Sequence, residues 1–487
     1  MAPTLTRDDA TTATALHYLS ATEAIRRFRT RELSPVDLME AVIARAEAVE
    51  PHINAFADRY FDEALDAARR AEARYAGRSP RPRPLDGLPI VIKEETAVAG
   101  QRTTQGSLIC ANDVADRSAT VVDRILQAGA IIHARSTAPE FSCAPYTHSR
   151  LWGVTRNPWN RAFSPGGSSG GAGAALAAGS TTLANGSDIG GSIRIPASFC
   201  GVVGFKPPYG RVPESAPFNL DHYCHEGPLA RTVADCALLE NVMAGPDPHD
   251  VVSLRPKIRI PMELRGIEGW RIALSVDLGN FAVDDDVVAH TRAAAVALRE
   301  AGAIVEEVDL GWDRGQIRAA ARAHFGVIFG PWIGQMLADH RDQMTTYSIH
   351  FAEEAATVTK DDFVRGLEIE AEVYARLGAV LERYRLLICP TSGVPALEAG
   401  AEYLDRGPAV NGVVREHWQD ALMTVPFNIC SRCPVIGVPS GFARNGVPTG
   451  LQIVGRTYDD VSVFRAAAAL ERVRPWLDVP ARQPALP

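Results

Sequence analysis

Two serines and a lysine form the chemistry-bearing pattern of this 487-residue chain. Ser168 and Ser192 lie in glycine-rich turns of the stretch GGSSGGAGAALAAGSTTLANGSDIGGSIRIPASFCGVVGFKP, Gly166 to Pro207, with small residues and no proline between them. Glycine beside a serine opens backbone conformations closed to other residues, so a hydroxyl can stand exposed next to bare amide N–H groups. That arrangement suits acyl transfer, in which an oxygen attacks a carbonyl and backbone donors receive the developing charge. The stretch carries no histidine, so the base must come from elsewhere, and Lys93 in GLPIVIKEE is the candidate. Ile90, Val91 and Ile92 read as a short buried strand that delivers Lys93 into apolar surroundings, where desolvation favours a proton-accepting amine. The competing reading is a solvated or ion-paired lysine, with Glu94 and Glu95 at hand as partners.

Glycine-rich turns also cradle phosphates, and spacing tests that reading. A P-loop requires GxxxxGK[ST], yet no lysine follows Gly170 or Gly171. GGAGAALAAG resembles a turn entering an alanine-rich helix but lacks the GxGxxG spacing of a dinucleotide site.

The motifs extend well beyond the serines. GGSSGG is followed by DIGGSIRIP and GFKP, preceded by GLPIVIKE, APEF and WGVTRNPWN, and succeeded by HEGPLARTVADC, LLICPTSGVPA and GVPTGLQIVGR. In this order the blocks resemble those of the amidase signature family of serine hydrolases and cover most of the chain, leaving a poorly matched middle from about 246 to 385. The resemblance implies an α/β fold in which a central mixed, twisted β-sheet is covered by helices on both faces. It implies Ser192 as nucleophile, Ser168 as a bridging serine after a cis peptide bond, and Lys93 as terminal base. The N–H groups of Ile189, Gly190, Gly191 and Ser192 would form the oxyanion hole, with Asp188 and Arg194 as an ion pair pinning that turn. Ser142, Cys143 and Tyr146 fall in a block that borders the acyl pocket, and Arg211, after the PPYG turn, would reach a second polar atom of the substrate. Ser169 and Lys206 read as structural.

The implied activity is hydrolysis of C–N bonds in small amides or carbamates through an acyl-enzyme, with no metal or organic cofactor. The alternatives are the glutamine-hydrolysing subunit of a tRNA amidotransferase and a non-catalytic binding protein on the same scaffold. Two departures bear on substrate range. Glu94-Glu95 follows Lys93 where Asp-Asn is usual, which would alter the hydrogen bonds orienting the lysine. SRCP stands where Thr-Gly-x-Pro is frequent, placing Arg432 near the site.

Composition bounds the setting. A net charge of −8 offers no basic surface for nucleic acid or acidic lipid, so the expected partner is a small molecule, with the chain a monomer or homodimer. Eight scattered cysteines, of which only Cys430 and Cys433 are closely spaced, read as buried thiols rather than disulfides or a zinc site. With neither a signal-like N-terminus nor a membrane-length apolar run, a cytoplasmic location is expected.

The elements that position these residues are legible in part. Residues 1–15 are polar and threonine-rich and read as a flexible segment ahead of a single domain over 16–487. Ser20 with Glu23, and Ser34-Pro35 before DLMEAVIARAEAVE, mark helix starts. A helix ending near Gly129 feeds the strand AIIHAR, Ala172–Ala178 is helical and Gly201–Phe205 extended. Proline and charge in GPDPHDVVSLRPKIRIP mark an exposed connection, beyond which WRIALSVD and TRAAAVALREAGAIVEEVDL form another strand-helix-strand unit. Residues 313–385 are strongly helical and hold His324, Trp332 and Tyr347, which either line a pocket or pack helices.

Overall fold

The computed structural model describes residues 15–77, 81–477 and 482–487, so most of the expected N-terminal flexible segment, residues 1–14, lies outside the described residues. Eleven strands form one mixed sheet. In chain order they are β1 (Phe56–Arg59), β2 (Pro89–Lys93), β3 (Ile131–Ser136), β4 (Leu183–Ser187), β5 (Val203–Lys206), β6 (Glu226–Ala230), β7 (Arg271–Leu274), β8 (Ile304–Glu307), β9 (Leu386–Pro390), β10 (Val435–Phe442) and β11 (Pro448–Gly455). Their spatial order is β1-β3-β2-β4-β6-β5-β10-β11-β9-β7-β8. β2 runs parallel to both β3 and β4, β7 parallel to β8 and β9, and the pairings from β4 across to β9 are antiparallel.

Successive side chains of a strand point to opposite faces, and the two faces carry separate cores. Ile90 and Ile92 of β2, Ile272 and Leu274 of β7 and Leu386 and Ile388 of β9 belong to one cluster with the helices Ala21–Thr30, Val233–Met243, Asp285–Glu300 and Asp460–Val473. Val91 of β2 and Ala184 of β4 pack on the other face against the helices Pro35–Ile53 and Gly170–Ala178. Further along that face, Ala273 and Leu387 meet the helices Arg314–Ile328 and Lys360–Arg383. Helices thus cover both faces, as the sequence implies.

Local signals set the helix ends. Ser34 Oγ accepts the Val36 N–H at 3.0 Å, Asp37 reaches back to the Ser34 N–H, and Pro35 supplies the preset first turn of the 35–53 helix. Ser20 caps through its hydroxyl on the Glu23 N–H at 3.2 Å, but the Glu23 carboxylate turns outward to Arg26 and Arg27, so the reciprocal half of a capping box is missing. The 313–385 region contains four longer helices: Arg314–Ile328 and Lys360–Arg383 pack on the sheet, and Gly330–His340 and Thr346–Ala355 pack on the first of these.

Candidate active site

β2 and β4 are parallel neighbours with Val91 opposite Ala184, so their C-terminal ends, Lys93 and Ser187, arrive side by side. The Lys93 side chain is fully buried. Its Nζ donates to Ser168 Oγ at 2.7 Å and to Ser187 Oγ at 2.9 Å, and lies 2.7 Å from Glu95 Oε1. The backbone fixes the same residue: the Lys93 N–H donates to Asn185 Oδ1 at 2.8 Å, and Arg135 donates to the Lys93 carbonyl at 3.1 Å. The surroundings of the amine are therefore polar, which corrects the apolar pocket expected from IVI. Those three side chains are used up in the two sheet cores, and the lysine emerges past them among hydroxyls and a carboxylate.

Ser168 follows a cis peptide bond from Gly167 and leads into the 170–178 helix, as the family resemblance implies. Gly167 is needed for close approach, because a Cβ there would lie 2.5 Å from the Tyr146 carbonyl oxygen. Ser169 ties the two serine turns together, its N–H donating to the Ser192 carbonyl at 3.2 Å and its hydroxyl to the Ser187 carbonyl at 3.4 Å.

The turn carrying Ser192 is pinned from beneath. Asp188 and Arg194 form a fully buried pair at 2.8 Å, and Arg194 also donates to Thr424 O, Gln452 Oε1 and Asn428 Oδ1. Burial pushes the Asp188 carboxyl up, but the charge and hydrogen bonds of Arg194 outweigh it and hold the group well below the usual carboxylate range. Among the described residues, the N–H groups of Ile189, Gly190 and Ser192 have no partner within the protein. Gly191, expected as a fourth oxyanion donor, instead gives its N–H to Asp188 Oδ1 at 2.9 Å, because the carboxylate three residues earlier folds back under the turn. Its φ of +126° and a Cβ position 2.2 Å from Thr424 Oγ1 make glycine necessary there for shape.

Ser168, Ser187, Ile189, Gly190 and Ser192 all line one cavity of about 1020 Å³. Its lining also holds the polar groups Glu95, Ser142, Glu214 and Glu226 and an aromatic wall of Phe218, Phe325, Phe329, Trp332 and Phe351, with Phe325 beside Gly190. Ser142, Cys143 and Tyr146 also line it. The Tyr146 hydroxyl donates to the Glu402 carbonyl at 2.7 Å and its ring stacks on His148 at 4.9 Å, so one ring face is already covered.

Arg211 is elsewhere. It is buried, absent from the cavity lining, and forms a bidentate pair with Asp460 at 2.9 and 3.1 Å, because the PPYG turn directs it toward the N-terminus of the 460–473 helix. Arg432 also lies outside the lining, its guanidinium over the Tyr209 ring. Trp332 and Tyr347 reach the cavity, whereas His324 does not: it stacks on Tyr223 at 3.6 Å and its Nε2 lies 2.7 Å from Asp221 Oδ1. Asp221, His222 and His324 form the one group among the described residues with three metal-type ligand atoms within 4.8 Å. Lys206 is structural, donating to the carbonyls of Pro207, Ser431 and Cys433.

Sequence reading missed Ser187 and the cavity carboxyls Glu214 and Glu226. Ser187 had one available signal, its place just before Asp188 at a strand end. The carboxyls had none, since only the fold turns them inward.

The fold and these serine turns define a hydrolase of the amidase signature class, and the chain belongs to the amidase family, whose pattern it matches over residues 37–464. It is 36% identical to an acylamidase of Rhodococcus erythropolis, covering 95% of this chain and 97% of that protein. It is also 34% identical to a glutamyl-tRNA(Gln) amidotransferase subunit of Chloroflexus aggregans, over 95% and 98% of the two chains. A crystal structure of a bacterial aryl acylamidase superposes with a TM-score of 0.88 at 30% identity, covering 96% of this chain and 99% of that one. Among the described residues, no helix is long and apolar enough to cross a membrane.

Proposed function

We propose that this protein hydrolyses small aryl amides and aryl carbamates through an acyl-enzyme on Ser192. The observation that carries the reading is the 2.7 Å contact from Lys93 Nζ to Ser168 Oγ, on a turn stitched by hydrogen bonding to the Ser192 backbone and open to the same cavity. In the reaction, Lys93 as free amine takes the Ser168 proton while Ser168 takes that of Ser192, whose oxygen attacks the carbonyl. The N–H groups of Ile189, Gly190 and Ser192 receive the oxyanion. The relay then runs backward: the leaving nitrogen takes a proton from Ser168, and Lys93 replenishes it. Water, deprotonated by the same unit, releases the acid, which for a carbamate breaks down to alcohol and carbon dioxide.

The aromatic wall supports an aryl substrate, and the similarity to an acylamidase supports amide cleavage. Carbamate cleavage is supported by Glu226, which lines the cavity. Burial, with the charge of Glu95 nearby, pushes its carboxyl well above the usual range, which favours the protonated form that can donate a hydrogen bond to an alkoxy oxygen. Glutamine, a small polar amide, would leave the aromatic wall without a partner. That disfavours the amidotransferase reading, and the intact Lys93, Ser168 and Ser192 set disfavours a binding protein. Residues 246–385, through the helices between 314 and 383, give this pocket its shape.

Ser192→Ala is expected to lose fluorophosphonate labelling and to lower anilide turnover by roughly 10⁴-fold or more. Retained labelling with near-normal turnover would overturn the nucleophile assignment. Matched anilide and aryl carbamate substrates test the range, and absence of carbamate turnover would leave an amidase alone.

A further inference from the structure

We propose that Glu95 is the positioning residue of the Lys93–Ser168 unit, and that it joins the proton relay to the turn at Phe141–Ser142 that walls the cavity; this rests on the amidase reading above. The carboxylate works with both oxygens. Oε1 accepts from Lys93 Nζ at 2.7 Å and from the Ser187 hydroxyl, and Oε2 accepts from the Ser142 hydroxyl. Phe141 and Ser142 both take left-handed backbone conformations, φ +53° and +54°, rare for residues with side chains, so this turn must be held by its contacts.

The same turn is anchored on the helical wall. The Phe141 ring meets Trp332 edge-on at 4.9 Å, Cys143 Sγ lies 3.6 Å from Ser348 Oγ, and Glu140 accepts the Thr345 N–H at 2.7 Å. A substrate that displaces the wall therefore pulls on the carboxylate that holds the lysine.

The other ionisable groups around Glu95 leave it as the negative charge facing Lys93. Burial pushes Glu214 up to about 8 and pushes Glu226 well above the carboxylate range, which favours the neutral form of both. Burial also raises the Cys224 thiol. Glu94, next along the chain, is pushed up to about 7 by burial and turns its Oε2 to Thr104 instead. Glu95 moves the opposite way: burial pushes it up, but the charge of Lys93 and hydrogen bonds from Lys93, Ser142 and Ser187 bring it below its ordinary value. Neighbouring carboxyls driven apart in this way take different roles.

The test is the pH dependence of anilide kcat/KM. Glu95→Gln keeps the volume and removes the charge, so the ammonium of Lys93 loses its counter-charge and the acid limb is expected to move about 0.5–1.5 pH units lower. The plateau kcat should fall about 10–100-fold, because an amide oxygen cannot hold all three donors in place. Ser142→Ala cuts only the arm to the wall; its acid limb should stay at the wild-type position while KM rises about threefold or more. Glu95→Asp keeps the charge and shortens the reach, so it should lower kcat with the limb unmoved. A Glu95→Gln profile superimposable on wild type would overturn the proposal even if the enzyme is otherwise an amidase. Wild-type kcat in Glu95→Asp would do the same should the glutamine variant not fold. Labelling separates the two levels: if wild type cleaves no amide or carbamate and Ser192→Ala is still labelled, the amidase reading itself falls and this proposal with it.

Discussion

At the scale of single residues, the site depends on what one lysine touches. Lys93 meets two hydroxyls and a carboxylate within 2.9 Å, so the amine is oriented by hydrogen bonds rather than by a snug apolar wall. Such a residue is not replaceable by another cation. A guanidinium stays protonated at any usable pH and is planar where the ammonium is compact, so Lys93→Arg should lower anilide kcat/KM by about 10²–10⁴-fold without recovery at alkaline pH. Substantial activity in that variant, measured across the pH profile, would mean that the lysine acts only as a fixed positive charge.

At the scale of elements, two buried ion pairs hold connections in place. Asp188–Arg194 fixes the Ser192 turn from below, and Arg211–Asp460 ties the segment after β5 to the start of the 460–473 helix. Arg211 is thereby spent on architecture. Arg211→Ala leaves the Asp460 carboxylate buried without its partner, and such a loss typically costs about 3–5 kcal/mol. The urea unfolding midpoint should fall accordingly, while kcat/KM on anilide and aryl carbamate should change by the same factor. A selective loss on the carbamate would instead return Arg211 to substrate binding.

At the scale of the whole molecule, the large interior carries ionisable groups whose burial makes stability depend on pH. Burial raises the carboxyls of Glu50, Glu94 and Glu471 to about 7 each. A carboxyl raised in the folded state contributes stability that is fully present below its ordinary value and is lost as pH rises through the folded one. His225 acts on the other flank: burial and the charge of Lys206 lower it to about 3, so its contribution is lost as pH falls from about 6.5. The urea midpoint should therefore decline toward pH 8. Glu50 is 3% exposed, and a rise of this size corresponds to a few kcal/mol, about 1.4 per pH unit. Glu50→Gln should raise the midpoint relative to wild type at pH 8 more than at pH 5; an equal change at both would refute the assignment.

What the sequence determined by itself was the part carried by local rules. Glycine around Ser168 and Ser192, the Ser34-Pro35 helix start and the alternating apolar faces of the strands each depend on neighbours a few residues away, and each is found where the chain implies it. The pairing of Asp188 with Arg194 was also legible, since six residues across a glycine turn can close on themselves. Tertiary structure alone decided what Lys93 and Arg211 do. Lys93 meets Ser187 because β2 and β4 are sheet neighbours 94 residues apart, and Arg211 meets Asp460 across 249 residues. The side chains of Glu94 and Glu95 diverge, one toward Thr104 and the other toward Lys93 and Ser142, although the residues are identical and adjacent. An ionisable side chain takes its role from the charges and hydroxyls that long-range folding brings to it, and those partners leave no periodic mark in the chain.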